Sequence, residues 1–289
     1  MADLLEVDHL TVRYGGLAAV EDVSLRVPKG RLVGLIGPNG AGKTTLVDAL
    51  SGFTSSSGSV RLAGRSIESM KPHQRAHLGL ARTFQSLELF EDLTVRENLL
   101  VAAERPRWWT AVLDAARPSS SKAVAAADWA LEAVGMSAAA DRLPGSLSHG
   151  QRKVVAVARA LASRPSCLLL DEPAAGLDTT ESQILGSQLQ TICEHGISIL
   201  LVDHDMGLIL GVCDYLYVIE FGKLIAEGPP SVVRRDPAVI RAYLGASAEA
   251  AGEIVGDDHS GAGGDAAAKT APTSDGTGAS GTVGSVVAP

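Results

Sequence analysis

The sequence predicts an α/β fold in which an antiparallel β layer leads into a parallel sheet that carries an inserted helical subdomain. Three features favour it. The first sixty or so residues contain runs rich in β-branched residues, separated by turn-forming glycine and proline. An alanine-rich middle segment has helical character. Beyond it, short apolar runs alternate with helix patterns, which is typical of a parallel sheet.

The N-terminal strands are predicted at "LLEVDHLTVRY", "AVEDVSLRV" and "RLVGLIG". The later alternation consists of "SCLLLDE", a helix from about residue 180 to 195, "ISILLVD", a further helix and "YLYVIE". Strands that alternate with helices in this way are typical of a parallel sheet.

The helical subdomain is predicted over residues 87–163. Thr94 is followed three positions later by Glu97, which is the pattern of a helix-capping box. Trp108 and Trp109 follow a proline in the same segment. They either contact a membrane or a membrane partner, or they close the subdomain's own core, and the second role is favoured.

Charge and composition exclude several classes of protein. A net charge of −8 argues against a protein that neutralises nucleic acid. No stretch approaches 18 uncharged apolar residues and no secretory signal is visible, so we expect neither a membrane span nor export. The three cysteines lack metal-ligand spacing and are predicted to be reduced and mostly buried. Residues 246–289, which are acidic and contain no aromatic residue, are predicted to be a disordered tail.

The stretch "GPNGAGKTT" matches the pattern G-x-x-x-x-G-K-[ST] and lies between a predicted strand and a predicted helix. Its backbone N–H groups would surround phosphate oxygens, Lys43 would reach the β- and γ-phosphates of ATP, and Thr44 would bind Mg²⁺. A glycine-rich turn with a chance lysine is the alternative, which the strand-to-helix context disfavours. The sequence therefore predicts a P-loop NTPase. The residues predicted to hold the nucleotide are Gly37, Pro38, Asn39, Gly40, Ala41, Gly42, Lys43, Thr44 and Thr45.

Two acidic residues end the apolar run "CLLLDEP". Asp171 is predicted to orient the Mg²⁺ shell, and Glu172 to act as general base on water beside the γ-phosphate. A solvated acidic strand end is the alternative. The phosphate loop elsewhere in the chain favours the catalytic interpretation.

A second candidate anion site begins at "LSHGQ". Ser148 and Gln151 fit a capping box at the start of a helix, and Gly150 leaves the backbone open to close approach. A helix start presents unpaired N–H groups and a positive dipole, so capping and anion binding are compatible.

Together these motifs resemble the ATP-binding subunit of ABC transporters over residues 4–245, with "LSHGQ" at the position of that family's signature motif. In that family two nucleotide domains pair head to tail, and each ATP lies between one domain's phosphate loop and the other's signature helix. The resemblance implies transmembrane permease subunits, a second ABC ATPase subunit and, indirectly, a substrate-binding protein. A heterodimer is expected and a homodimer is the alternative. It also implies a peripheral position on the cytoplasmic face of the membrane.

The resemblance also implies roles for single residues. Tyr14 looks like the aromatic that stacks on adenine, although a locally packed strand-end tyrosine is as good an interpretation. Gln85 looks like the glutamine that senses Mg²⁺ and the γ-phosphate. Asp178, at the end of "AAGLD", resembles the loop that communicates across the dimer.

His204 in "LLVDHDM" resembles the family's switch histidine, which hydrogen-bonds the γ-phosphate. One alternative is a histidine in the core whose hydrogen-bonding groups all have partners. A metal cluster with Asp203 and Asp205 is another, but adjacent ligands in an extended chain point to opposite sides.

Within the family, "YGGLAAVEDVSL", "GLARTFQ", "LLLDEPAAGLD", "LVDHDM" and "DPAVIRAYLG" resemble branched-chain amino acid importers. The chain departs from that pattern at Arg152 and Ala156, where glutamine and glutamate are usual, and at Asp203, where glutamate commonly precedes the histidine. Urea and short amides remain alternative substrates. A soluble ABC ATPase of translation or DNA repair and a regulatory module are the other classes considered.

Overall fold

A computed structural model describes residues 2–84, 89–104 and 120–243 of the chain. The predictions for Gln85, for Trp108 and Trp109 and for the tail over residues 246–289 lie outside this part. The bounds of the helical subdomain and of the tail stay predictions.

The N-terminal half of the fold contains a four-stranded antiparallel sheet with the order β2-β1-β4-β5. A tight turn at Gly15 and Gly16 joins the two long strands, as the turn signals predicted. The strands are β1 (Asp3–Tyr14), β2 (Leu17–Pro28), β4 (Ser57–Leu62) and β5 (Arg65–Ser66).

The second sheet has six strands in the order β10-β9-β3-β8-β7-β6. Its strands are β3 (Leu32–Ile36), β6 (Leu80–Arg82), β7 (Cys167–Asp171), β8 (Ser198–Val202), β9 (Tyr215–Glu220) and β10 (Lys223–Gly228). All neighbours pair in parallel except β9 and β10, which form an antiparallel edge. The sequence predicted only the parallel part, because the short turn after β9 that reverses the chain was not recognised.

Helices cover the parallel sheet and fill the space between the sheets. They are α1 (Lys43–Ser51), α2 (Pro72–His77), α3 (Val95–Ala103), α4 (Ser121–Ala133), α5 (His149–Ala162), α6 (Thr179–Glu194), α7 (Met206–Val212) and α8 (Pro230–Val233), and residues 237–243 are also helical. The capping boxes predicted at Thr94 and Ser148 are both present. These local signals therefore fix where α3 and α5 begin.

Strands β3, β7 and β8 are buried along their whole length. They contribute side chains to two hydrophobic clusters, one on each face of the parallel sheet. Leu168 and Leu170 of β7 face the helices, whereas Cys167 and Leu169 face the antiparallel sheet. This division follows from the two-residue period of a strand. Because neither face of these strands meets water, their sequences are continuous apolar runs.

The carboxyl ends of β3, β8, β7 and β6 lie side by side along one edge of the sheet. The phosphate loop follows β3, His204 lies just beyond β8, and Asp171 and Glu172 end β7. Ligands of α/β proteins bind at this edge. The topology therefore brings together motifs that are far apart in the sequence.

The three cysteines Cys167, Cys193 and Cys213 are buried and unbridged, as predicted. Burial raises the pKa of Cys167 and of Cys193 to about 12, so both thiols stay protonated near neutral pH. In the described part of the chain, we find no helix with the length and apolarity that crossing a membrane requires.

Asn98 of α3 binds the backbone of the loop that precedes this helix. Its fully buried side chain accepts the N–H of Phe90 at 2.8 Å and donates to the carbonyl oxygens of Phe90, Leu93 and Thr94 at 3.0 to 3.1 Å. These bonds tie the preceding loop onto α3.

We expect Asn98→Ala to lower the free energy of unfolding by about 2 kcal/mol, because it leaves several buried backbone groups without partners. Urea denaturation followed by circular dichroism measures the change. Val101→Ala, an exposed position on the same helix, is the matched control and should have little effect. Equal stability of the two variants would contradict the assignment.

Candidate nucleotide-binding and active site

The phosphate loop starts where β3 ends and finishes at the first residue of α1. Gly37 and Gly42 have φ values of 156° and 101°, which other residues rarely adopt. A Cβ on Gly37 would lie 2.1 Å from the carbonyl oxygen of Ile219, and one on Gly42 would lie 2.4 Å from that of Ala19. Both glycines are therefore required by conformation and by space.

Lys43 points back into this loop. Its buried ammonium donates to the carbonyl oxygens of Gly37 at 2.7 Å and Pro38 at 2.9 Å. Burial lowers the pKa of Lys43, and the nearby carboxylates, with Glu172 the strongest, oppose that shift. The ammonium is thus held by neutral acceptors that phosphate oxygens can replace.

A cavity of about 420 Å³ opens beside the loop, within the range of about 300 to 1,000 Å³ that is usual for small-molecule sites. It brings seven of the nine predicted loop residues, Asn39 to Thr45, together with Glu172, whereas Gly37 and Pro38 are not among its described lining residues. It also has an apolar wall that the sequence did not predict. The described lining residues are Leu17, Ala18, Ala19, Asn39, Gly40, Ala41, Gly42, Lys43, Thr44, Thr45, Glu172 and Phe221.

Asp171 and Glu172 are adjacent but point into different surroundings. The side chain of Asp171 is only 1% exposed, whereas that of Glu172 lines the cavity. Glu172 has a left-handed φ of 50°, and its N–H donates to the carbonyl oxygen of Val202 at 2.7 Å. This conformation is costly for a residue with a Cβ and is concentrated at functional sites.

His204 lies beside Glu172, with its Nδ1 3.9 Å from Oε1 of that residue. The fully buried Asp203 accepts the backbone N–H groups of Ala174, His204 and Asp205 at 2.8 to 3.1 Å. Asp203 therefore fixes the turn that presents the exposed histidine. Within the described residues no group of three or more His, Cys, Asp or Glu side chains is placed to hold a metal ion.

Arg82 connects Asp171 to the helix that follows the phosphate loop. Its guanidinium bonds Asp48 of α1, lies 3.2 Å from Oγ of Ser51 and lies 3.3 Å from Oδ2 of Asp171. Burial raises the pKa of Asp171, and Arg82 opposes this. Oδ1 of Asp171 is buried and finds no hydrogen-bond partner among the described residues. One carboxylate oxygen is thus fixed and the other is available to a ligand.

The signature segment "LSHGQ" forms the start of α5. Ser148 Oγ accepts the N–H of Gln151 at 3.1 Å, and Gln151 Oε1 accepts the N–H of Ser148 at 3.1 Å. A Cβ on Gly150 would lie 2.7 Å from Cδ2 of Leu177, and Asp178 caps the next helix. None of the residues predicted in these two segments is among the described residues that line the cavity.

Tyr14, predicted to stack on adenine, is exposed at the end of β1, and its hydroxyl lies 3.3 Å from Oγ1 of Thr54. It is not among the cavity's described lining residues, whereas Leu17, three residues further along, is. Gln85 follows β6 and lies outside the described residues. The structure therefore does not test either role.

The geometry is that of a nucleotide cassette, and comparison with known proteins gives the family. A family model described as ABC transporter matches residues 20–175, which include the phosphate loop and Glu172. The chain belongs to the ABC transporter family. A second model, described as branched-chain amino acid ATP-binding cassette transporter, matches residues 223–249.

Curated relatives of this ABC protein share most of its length. The high-affinity branched-chain amino acid transport ATP-binding protein BraF of Pseudomonas aeruginosa is 42% identical over 250 residues, which cover 84% of this chain and 98% of BraF. LivG of Salmonella typhimurium, with the same description, is 41% identical at the same coverage. A probable LivG of Archaeoglobus fulgidus is 34% identical and covers 84% of this chain and 96% of its own.

Solved structures confirm the fold class. A crystal structure of the ADP conformation of MJ1267, an ATP-binding cassette of an ABC transporter, has a TM-score of 0.76 and 31% identity, and covers 85% of this chain and 100% of that one. A nucleotide-free ATP-binding cassette from an ABC transporter has a TM-score of 0.74, again with 31% identity, and covers 84% and 99%. This ABC protein is accordingly an ATPase that binds nucleotide.

Sequence reasoning missed Arg82, Leu17 and Phe221 in this ABC cassette. Arg82 stands three positions before Gln85, but a single arginine in a short strand gives no sign of its partners. Leu17 and Phe221 come from strand ends about 200 residues apart that meet only in the folded protein. Gly222, two residues after "YLYVIE", is the one signal available, because glycine marks turns.

We expect Asp171→Asn to abolish ATP hydrolysis and to stabilise the ligand-free protein near neutral pH. Because the pKa of Asp171 is raised above its ordinary 3.8, the folded state holds the proton more tightly, and stability falls as the pH rises through that range. A neutral amide at this position removes the loss of stability at pH values above the raised pKa. At pH values below 3.8 the carboxyl group is protonated, and the substitution leaves the stability unchanged.

Thermal melts of nucleotide-free and metal-free protein between about pH 4 and about pH 8 check the sign. Asp141→Asn, at a side chain that is 91% exposed, is the control and should show no such pH dependence. A variant that is less stable than wild type at neutral pH, and equally so at acid pH, would contradict the argument.

Proposed function

We propose that this chain is the ATP-hydrolysing subunit of an importer that moves branched-chain amino acids through separate permease subunits in the membrane. The observation that carries the hydrolytic part is the cavity that unites the phosphate loop with Glu172, beside His204. The names of the BraF and LivG relatives support this substrate class over urea and short amides. They also support a peripheral position on the cytoplasmic face of the membrane.

In the proposed complex the phosphates of ATP bind the backbone N–H groups of the loop and the ammonium of Lys43. Thr44 and Asp171 would hold Mg²⁺, because hydroxyl and carboxylate oxygens are the hard ligands that this ion prefers. The unpartnered Oδ1 of Asp171 fits that role. Mg²⁺ bound there would neutralise charge on the β- and γ-phosphates.

Hydrolysis is assigned to Glu172 and His204. Glu172 accepts the proton of the attacking water, since this residue lines the cavity, and His204 hydrogen-bonds the γ-phosphate from the neighbouring strand end. Gln85 would complete the site as a ligand of Mg²⁺ and a sensor of the γ-phosphate. Tyr14 would stack on the adenine.

The signature segment is assigned to a second ABC ATPase subunit. Ser148, Gly150 and Gln151 form a helix start that presents N–H groups, and they are not among the described residues that line this chain's own cavity. We propose that they bind the partner's triphosphate, with Asp178 close to the partner's site. A related subunit as partner is the expectation and a second copy is the alternative. A substrate-binding protein would act through the permease.

We expect Glu172→Gln to keep ATP affinity but to lower turnover by about 10²- to 10⁴-fold, because the amide cannot accept the water's proton. Equilibrium binding of labelled ATP and phosphate release measure the two quantities separately. Lys43→Ala is the contrasting control and should lose nucleotide affinity. Turnover near the wild-type rate in Glu172→Gln would refute the assigned base.

The transport assignment predicts which solute stimulates the reconstituted complex. With the co-purifying permease and binding protein in proteoliposomes, leucine, isoleucine or valine should raise ATP hydrolysis, whereas urea and acetamide should not. The Glu172→Gln complex serves as the control for contaminating ATPases. Stimulation by urea alone, or co-purification with ribosomes or DNA in place of membrane proteins, would overturn the importer assignment.

A further inference from the structure

We infer that Phe221 is a nucleotide-contacting residue whose ring packs against the uncharged part of bound ATP, its base or ribose. The inference rests on the proposed function, because it concerns the same cavity. It adds a binding residue that none of the sequence motifs contains.

Phe221 stands at the tip of the hairpin between β9 and β10, in a position that does not favour an aromatic residue. Glu220 pairs with Lys223, so the loop consists of Phe221 and Gly222 alone, with φ values of 46° and 78°. Two positive φ values characterise the type I′ turn, whose first position favours asparagine, aspartate or glycine. A phenylalanine there is strained, so the turn conformation does not account for the residue.

The hairpin tip is fixed to the phosphate loop. The N–H of Gly222 donates to the carbonyl oxygen of Ala41 at 2.9 Å, and the carbonyl oxygen of Gly222 accepts the N–H of Glu21 at 2.8 Å. A Cβ on Gly222 would lie 2.7 Å from the carbonyl oxygen of Ala19, so the two backbones are in close contact. The position of Phe221 relative to the loop is therefore set by the fold.

The ring of Phe221 is left for a ligand. Phe221 is 79% exposed and lines the cavity together with Leu17, which is 71% exposed. Triphosphate oxygens require N–H groups and cations, which the loop and Lys43 supply on another part of the lining. An aromatic ring and a leucine offer neither, but they complement a base or a sugar by stacking and apolar contact.

The test replaces Phe221 by asparagine, which suits the left-handed backbone and so should fold with equal or higher thermal stability. We expect the dissociation constant of ATP to rise about tenfold in the full-length Phe221→Asn protein, as for the loss of one stacking contact. The dissociation constant of inorganic tripolyphosphate should stay unchanged, since it has no base or ribose. Isothermal titration calorimetry measures both.

Two further variants make the result specific. Phe221→Tyr keeps the ring and should bind ATP like the wild type. Phe90→Asn removes an exposed ring that is not among the described residues lining the cavity and should also leave ATP binding unchanged.

Unchanged ATP affinity in Phe221→Asn would overturn the inference, as would an equal loss of affinity for ATP and tripolyphosphate. A wild-type protein that binds no ATP would instead overturn the proposed function, so the two failures are distinguishable.

Discussion

The site depends on the parallel hydrogen bonding of β3, β8 and β7. Val202 pairs with Leu35 on one side and with Asp171 on the other, so these strands end level at one edge of the sheet. The phosphate loop, His204 and Glu172 leave from those ends at separations set by the strand spacing of about 4.8 Å. Because the strands are buried on both faces, the edge is anchored by the core on either side.

Arg82 supports this edge without lining the cavity. Its buried guanidinium lies between Asp48 of α1 and Asp171 of β7, and the rings of Phe53 and Phe84 lie over it at 5.9 Å and 5.0 Å. Without the arginine, the carboxylates of Asp48 and Asp171 would repel each other in a poorly solvated place. The guanidinium between them forms an ion pair with each. The helix that carries the phosphate loop and the strand that carries the acidic residues are therefore coupled through one side chain.

The sequence predicted the parts of the fold that local rules determine. Runs of apolar residues gave β3, β7 and β8, and the capping pairs at Thr94 and Ser148 gave two helix starts. The phosphate loop was recognisable because its chemistry lies in one short segment. The antiparallel strand β10, the role of Arg82 and the apolar wall at Phe221 were not predictable, because each depends on which distant strands become neighbours.

The start of α5 contributes no residue to the described lining of the cavity, yet it packs against the turn after β7, which carries Glu172. Gly150 packs closely against Leu177, and Lys153 on the same helix donates to the carbonyl oxygen of Glu172 at 3.3 Å. In the proposed pairing, an anion bound at the N-terminus of α5 would act on a helix that contacts the backbone of Glu172, the proposed general base. Each subunit's carboxylate would then respond to the nucleotide held by its partner, because linkage between two sites needs only an element that both of them contact.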